Sequence, residues 1–190
     1  MVFMKKVLVS FIIFILILGS GFLGYLLVTT PKPKTFEGKG VTVELLSDFK
    51  VFESEKWQFY AENKDIAFMS ERVGKLSTIT DKNGNKLSFS TFTLETYLNF
   101  ILATNQLFTE DGENSSYDVD IYEAEIYSES PLKGQMYYCY YKDYEGNFAY
   151  MLVVRESENF FYTINIACDA DQLNAYRTKM LQYAMSIDVE

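Results

Sequence analysis

The sequence predicts an α+β fold: a central antiparallel β-sheet with helices packed on it, preceded by an N-terminal transmembrane helix. Three observations carry this. Residues 132–168 read as three strands joined by two tight turns, Asp143-Tyr144-Glu145-Gly146 and Ser157-Glu158-Asn159. The middle strand is apolar on both faces, with Phe148, Tyr150, Leu152 and Val154 on one and Ala149, Met151 and Val153 on the other. A strand apolar on both faces is covered on both, so it belongs inside a sheet. Two stretches with helical spacing, near residues 93–107 and 170–186, supply the covering layers.

In chain order, residues 1–6 form a short leader carrying Lys5 and Lys6. An almost unbroken apolar run follows, Val7 to Val28. At 1.5 Å per residue it extends about 33 Å, close to the ~30 Å hydrocarbon thickness of a bilayer. It reads as an uncleaved signal-anchor with its amino end inside. Gly19-Ser20-Gly21 offers a cleavage site, and use of it would make the protein secreted rather than membrane-bound. No cysteine follows the run, which excludes a lipoprotein-type anchor.

Residues 29–40 read as a linker. Pro31-Lys32-Pro33-Lys34 is expected to be stiff and extended, and Gly38 and Gly40 flexible. The folded domain is then expected over 41–190. It opens with Val41 to Leu45, which alternates as a strand does, and short extended pieces follow at 49–52, 57–60 and 66–69. Leu76 to Leu87 carries a hairpin signal, because Asn83-Gly84 suits a type I′ turn. In the first helix Leu94, Tyr97, Leu98, Ile101 and Leu102 form the stripe and Thr93 the cap. Glu110 to Glu129 holds eight acids and no base, and its second half alternates as a strand whose inward face switches near Tyr122. In the last helix Leu173, Tyr176, Met180, Ala184 and Ile187 line one face, with Asp169 and Gln172 placed as a capping box.

The element order from Asn159 to Val189 resembles the PsbP-like family. The resemblance rests on the strand Phe160 to Cys168, the following helix with Tyr176, and the closing Ala184 to Val189. Upstream, Gly40 to Leu45 resembles the family's opening strand and Leu94 to Ile101 its middle helix. It covers about residues 38–190 and implies a bacterial membrane-anchored or secreted member. Known members mostly act as binding or assembly subunits. No functional residue of theirs maps onto this sequence.

Charge and composition narrow the function. The chain is 48% hydrophobic and 17% aromatic, ample for a packed core. Residues 1–35 hold four of the 17 basic groups and none of the 26 acidic ones, so the remainder carries a balance of -13. Such a domain repels phosphate backbones, so no nucleic-acid partner is expected. There is no histidine, which removes the commonest general base and metal ligand. Neither a G-x-S-x-G elbow nor a Cys–His pair is present. Cys139 and Cys168 fall on the first and third strands of the meander, about 10 Å apart by two strand spacings, which exceeds the reach of a disulfide.

The expected function is a non-catalytic, membrane-tethered, extracytoplasmic binding or assembly module of the bacterial cell envelope. No cofactor, metal or catalytic residue is expected. Besides the membrane, held by the N-terminal helix, the partner is an unknown envelope protein or glycan. Binding is expected at Tyr144 in the meander turn and in the acidic stretch at Glu110, Asp111 and Glu113. Two alternatives remain: an envelope glycan hydrolase using an Asp/Glu pair, and a calcium-dependent adhesion or sensor module built on the acidic stretch, although no EF-hand spacing is present. Tyr137, Tyr138, Tyr140, Tyr141, Tyr144 and Tyr150 could stack on a glycan, but alternation places Tyr137 and Tyr141 opposite Tyr138 and Tyr140.

Overall fold

The computed structural model describes residues 30–80, 84, 86–105, 126–131, 134–143 and 145–190. The leader and the expected membrane segment, residues 1–28, lie outside them. No helix among the described residues is long and apolar enough to cross a membrane. The compact body runs from Lys34 to Glu190.

Its strands are β1 (Pro33–Gly38), β2 (Val41–Leu46), β3 (Lys50–Phe52), β4 (Phe59–Glu62), β5 (Ala67–Gly74), β6 (Thr78–Thr80), β7 (Lys86–Ser88), β8 (Tyr127–Glu129), β9 (Met136–Lys142), β10 (Phe148–Glu156), β11 (Phe160–Asp169) and β12 (Asp188–Val189). Helix α1 is Leu94–Asn105 and α2 is Leu173–Met185. Seven strands form one sheet in the order β3-β4-β5-β11-β10-β9-β8. The predicted meander is its centre, with β10 between β9 and β11. A three-stranded sheet, β1-β2-β12, and the hairpin β6-β7 complete the fold.

Two hydrophobic cores lie on opposite faces of the large sheet. On one face Phe68, Met151, Val153, Ile164 and Ile166 pack with Val43 and Leu45 of β2 and with Met180 and Ala184 of α2. On the other, Cys139, Leu152, Val154 and Phe161 pack beneath Leu94, Tyr97, Leu98 and Leu102 of α1. Tyr97 stacks on Phe161 at 4.6 Å between ring centroids and shares a 2.8 Å hydrogen bond with the buried hydroxyl of Thr163. Helix α1 starts as expected, because Thr93 Oγ1 accepts from Thr96 N at 3.2 Å and Thr96 Oγ1 accepts from Thr93 N at 2.7 Å.

Two expectations need correction. Half of the expected linker is strand: β1 carries Phe36 into the core beside β2. Lys39 and Gly40 turn the chain between β1 and β2, with φ of 45° and 85°. Positive φ at both positions is the signature of a type I′ hairpin, which matches strand twist. Gly38 is required by close approach, since a Cβ there would lie 2.4 Å from the Phe59 ring.

In the hairpin β6-β7, Thr80 pairs with Lys86. The expected hairpin is thus present, and Asn83 of its expected Asn83-Gly84 turn lies outside the described residues. The last helix has no capping box. Residues 170–172 form a 3-10 turn, α2 begins only at Leu173, and neither Asp169 nor Gln172 makes a side-chain cap. The two cysteines stand apart as expected, and by more than strand spacing. Cys139 pairs with Leu152 on the α1 face, whereas Cys168 pairs with Ala149 on the other. Both are buried free thiols.

Candidate functional site

Glu110, Asp111, Glu113 and Tyr144 all lie outside the described residues. The turn around Tyr144 is closed by Gly146 N donating to Asp143 O at 3.0 Å and by Phe148 N donating to Asp143 Oδ1 at 3.0 Å. The other tyrosines divide between faces as alternation predicts. Tyr138 and Tyr140 join Tyr127 and the Arg177 guanidinium on the α2 face. Tyr137, Tyr141 and Tyr150 lie on the α1 face, where Tyr141 and Tyr150 stack at 4.9 Å and 11°.

Helix α1 sits over β9 and β10 and leaves part of its face uncovered by either helix. The strand register gives the composition of that part. One row of side chains runs Phe52, Tyr60, Met69, Asn165, Leu152 and Cys139 across six strands. The next runs Lys50, Glu62, Ala67, Ala167, Tyr150 and Tyr141. Two aromatic pairs thus stand apart on this face: Phe52–Tyr60 on β3 and β4, and Tyr141–Tyr150 on β9 and β10. Between them the residues are small or flexible: Ala67, Met69, Asn165 and Ala167. This strip of sheet face, called the trough below, lies between two aromatic pairs about 14 Å apart, three inter-strand spacings of about 4.8 Å.

Asn165 is the polar floor of this trough. Only 7% of its surface is exposed. Its Oδ1 accepts from the Tyr141 hydroxyl at 3.2 Å. A planar amide that points Oδ1 at Tyr141 directs Nδ2 away, toward β5. That is the one side-chain hydrogen bond Asn165 makes, so Nδ2 carries no protein partner. Nδ2 is not among the fully buried side-chain atoms that lack a partner, so it stands at the surface of this face, open to an acceptor.

The electrostatics are those of an acceptor-rich surface. Glu71, opposite Thr163 and one row from Asn165, is half-buried, and its carboxyl is pushed above the usual range by burial, with Lys56 acting against this. The Tyr60 hydroxyl is hydrogen-bonded to the Glu62 carboxylate, which, with burial and the Glu62 charge, pushes its phenol up to about 12. Burial raises Tyr141 strongly and Tyr150 as well, the latter helped by the charge of Asp143. Rings, one amide and carboxylates can hold a ligand. Among the described residues no group of three or more Cys, Asp or Glu side chains is placed to hold a metal ion.

A concavity of about 370 Å³ opens between β2 and the end of α2, lined by Thr42, Glu44, Pro131, Ser186 and Asp188 among others. Its central hydroxyl is already used. Ser186 Oγ accepts from Glu44 N at 3.1 Å and donates to Tyr183 O at 2.7 Å, continuing the β2-β12 ladder where β12 begins. Behind it Arg155, 1% exposed, donates from Nη1 to Ile187 O at 2.7 Å and fixes the segment entering β12. Burial lowers its guanidinium from its usual value, and the charge of Asp188 opposes this. These groups hold the small sheet to the large one, and the trough on the other face is the better candidate.

The described residues thus form an antiparallel sheet with one helix on each face, and solved structures of that class resemble it. The solution structure of cyanobacterial PsbP (CyanoP) from Synechocystis superposes with a TM-score of 0.58 at 9% identity, covering 85% of this chain and 93% of that one. The chain therefore has the PsbP-like fold. Two further structures are more distant: the Saccharomyces cerevisiae Ran-binding protein Mog1p (TM-score 0.45, 8% identity, 84% and 96% covered) and LpqN of Mycobacterium tuberculosis, involved in cell envelope biogenesis (TM-score 0.42, 10% identity, 87% and 94% covered). No family model and no curated protein matches the sequence.

Proposed function

We propose that this protein is a membrane-tethered, extracytoplasmic binding module of the cell envelope that carries out no chemistry. Residues 7–28 hold it to the membrane, and the trough between Tyr60 and Tyr150 is its binding surface. The observation that carries this reading is Asn165. Its amide donor reaches the surface between two aromatic pairs, where it can meet an acceptor. The absence of histidine and the CyanoP likeness in fold support a binding rather than a catalytic role.

The test uses the full-length chain in its own membrane, with a photo-activatable phenylalanine at position 60. Cross-linking from position 60 to an envelope component, lost when Asn165 is replaced by leucine, is the expected result. Equal cross-linking from an exposed position outside the trough, such as Leu76, would overturn the assignment of the surface.

A further inference from the structure

We propose that Glu71 makes the seating of α1 on the sheet sensitive to acid: α1 is held more firmly when the Glu71 carboxyl is neutral and lifts more often when it is ionised. No ligand on that face is needed.

Glu71 lies on β5, inside the large sheet, with its side chain on the α1 face beside Thr163 of β11. The Thr163 hydroxyl is the one that Tyr97 of α1 meets at 2.8 Å, and the Tyr97 ring stacks on the neighbouring Phe161 at 4.6 Å. The carboxyl therefore sits beside the contact that holds α1 down. Its charge is felt by the Tyr97 phenol, so the two groups lie within electrostatic reach. Yet the Glu71 carboxyl accepts no hydrogen bond and closes no ion pair among the described residues. A half-buried carboxylate without a partner is costly in its charged form and tolerable in its neutral one.

The groups that face it come from three elements. From α1 it meets the Tyr97 phenol, pushed up to about 12 and so neutral throughout the acid range. From the connection between β3 and β4, Lys56 favours the charged form, and burial outweighs it. From β11 it meets Thr163 and, one row on, Asn165, neither of which titrates. Arg72, next to it on β5, belongs to the opposite face, where its guanidinium lies over the Phe160 ring.

With α1 seated, burial raises the Glu71 carboxyl above its ordinary 4.5, and when α1 lifts the carboxyl meets water and returns toward that value. The seated state thus holds the proton more tightly than the lifted one. The extra hold on α1 is complete below pH 4.5 and is lost as the pH rises through the raised value.

Two buried thiols read this out. Cys139 lies beneath α1, and Cys168 lies in the core of the other face. The full-length protein in detergent is incubated for hours with a pyridyl disulfide, which reacts with thiols in acid as well as at neutral pH, and each cysteine is followed by mass spectrometry. Each rate is divided by that of the denatured protein at the same pH. From about pH 5 to about pH 7 the Cys139 ratio should rise at least about threefold, and the Cys168 ratio should stay level. Glu71→Gln keeps the shape and stays neutral, so its Cys139 ratio should remain at the parent's acid value throughout. Tyr97→Phe removes the hydroxyl that holds α1 but leaves Glu71, so it should raise the Cys139 ratio at every pH and keep the dependence on pH. A level Cys139 ratio in the parent, the same rise in Glu71→Gln, or an equal rise at Cys168 overturns the proposal.

Discussion

Single residues on the α1 face decide whether it is packed or offered. Tyr97 and Asn165 are both polar groups on that face and behave differently. The Tyr97 hydroxyl and Thr163 satisfy each other in the core. Tyr97→Phe strands the Thr163 hydroxyl, and urea denaturation should show a loss of about 1 kcal/mol. Asn165→Leu strands the Tyr141 hydroxyl in the same way, so it should cost about 1 kcal/mol and no more than Tyr97→Phe. A large drop in melting temperature would make Asn165 a structural group and weaken the case for the trough. Cys139 is the third test at this scale. Burial pushes its thiol up to about 12, so almost none is thiolate at pH 8. Iodoacetamide should leave Cys139 unlabelled in the native protein and label it fully in denaturant, read by mass spectrometry.

Elements show how far the sequence could be read. The meander was legible because a two-faced apolar strand has one place to go, and β10 took it. Helix α1 was legible because Thr93, Leu94, Tyr97, Leu98 and Leu102 give a cap and a stripe together. Strand β1 was not, because its prolines and glycines carry the composition of a linker. At Gly38 and Gly40 the glycines serve close approach and positive φ rather than flexibility, and sequence composition does not separate those uses. The site was legible only in part. The split of tyrosines between faces followed from alternation, but the trough needed the register of β5 against β11, which no local pattern encodes. Its one available signal was Asn165, a lone amide within Phe160 to Cys168. If β1 is an integral strand, Phe36→Ala should cost about 3 kcal/mol. Gly40→Ala should cost at least about 1 kcal/mol, since its φ is 85° and a Cβ would lie 2.7 Å from Arg72 Nη1. If residues 29–40 were a linker, both variants would unfold at the parent's urea midpoint.

At the scale of the whole molecule, the aromatic cores make the fold sensitive to alkali. Burial pushes the phenols of Tyr97 and Tyr183 and the thiol of Cys139 up to about 12, from ordinary values of 10.0 and 9.0, and raises Tyr141 further. Each group is raised in the folded state, so the unfolded chain releases its protons first. Stability is therefore complete below about pH 9 and is lost as the pH rises toward 12. The urea midpoint should be level from pH 7 to 9 and then fall steadily. General repulsion in an acidic domain also grows with pH, and salt separates the two causes. Screening at 0.5 M sodium chloride weakens repulsion between exposed charges but does little for phenols that must ionise inside a core. The fall should therefore persist in high salt, and it should be shallower in Tyr97→Phe, which has one proton fewer to lose. A fall abolished by salt would mean that surface charge, and not the buried tyrosines of the two cores, sets the alkaline limit.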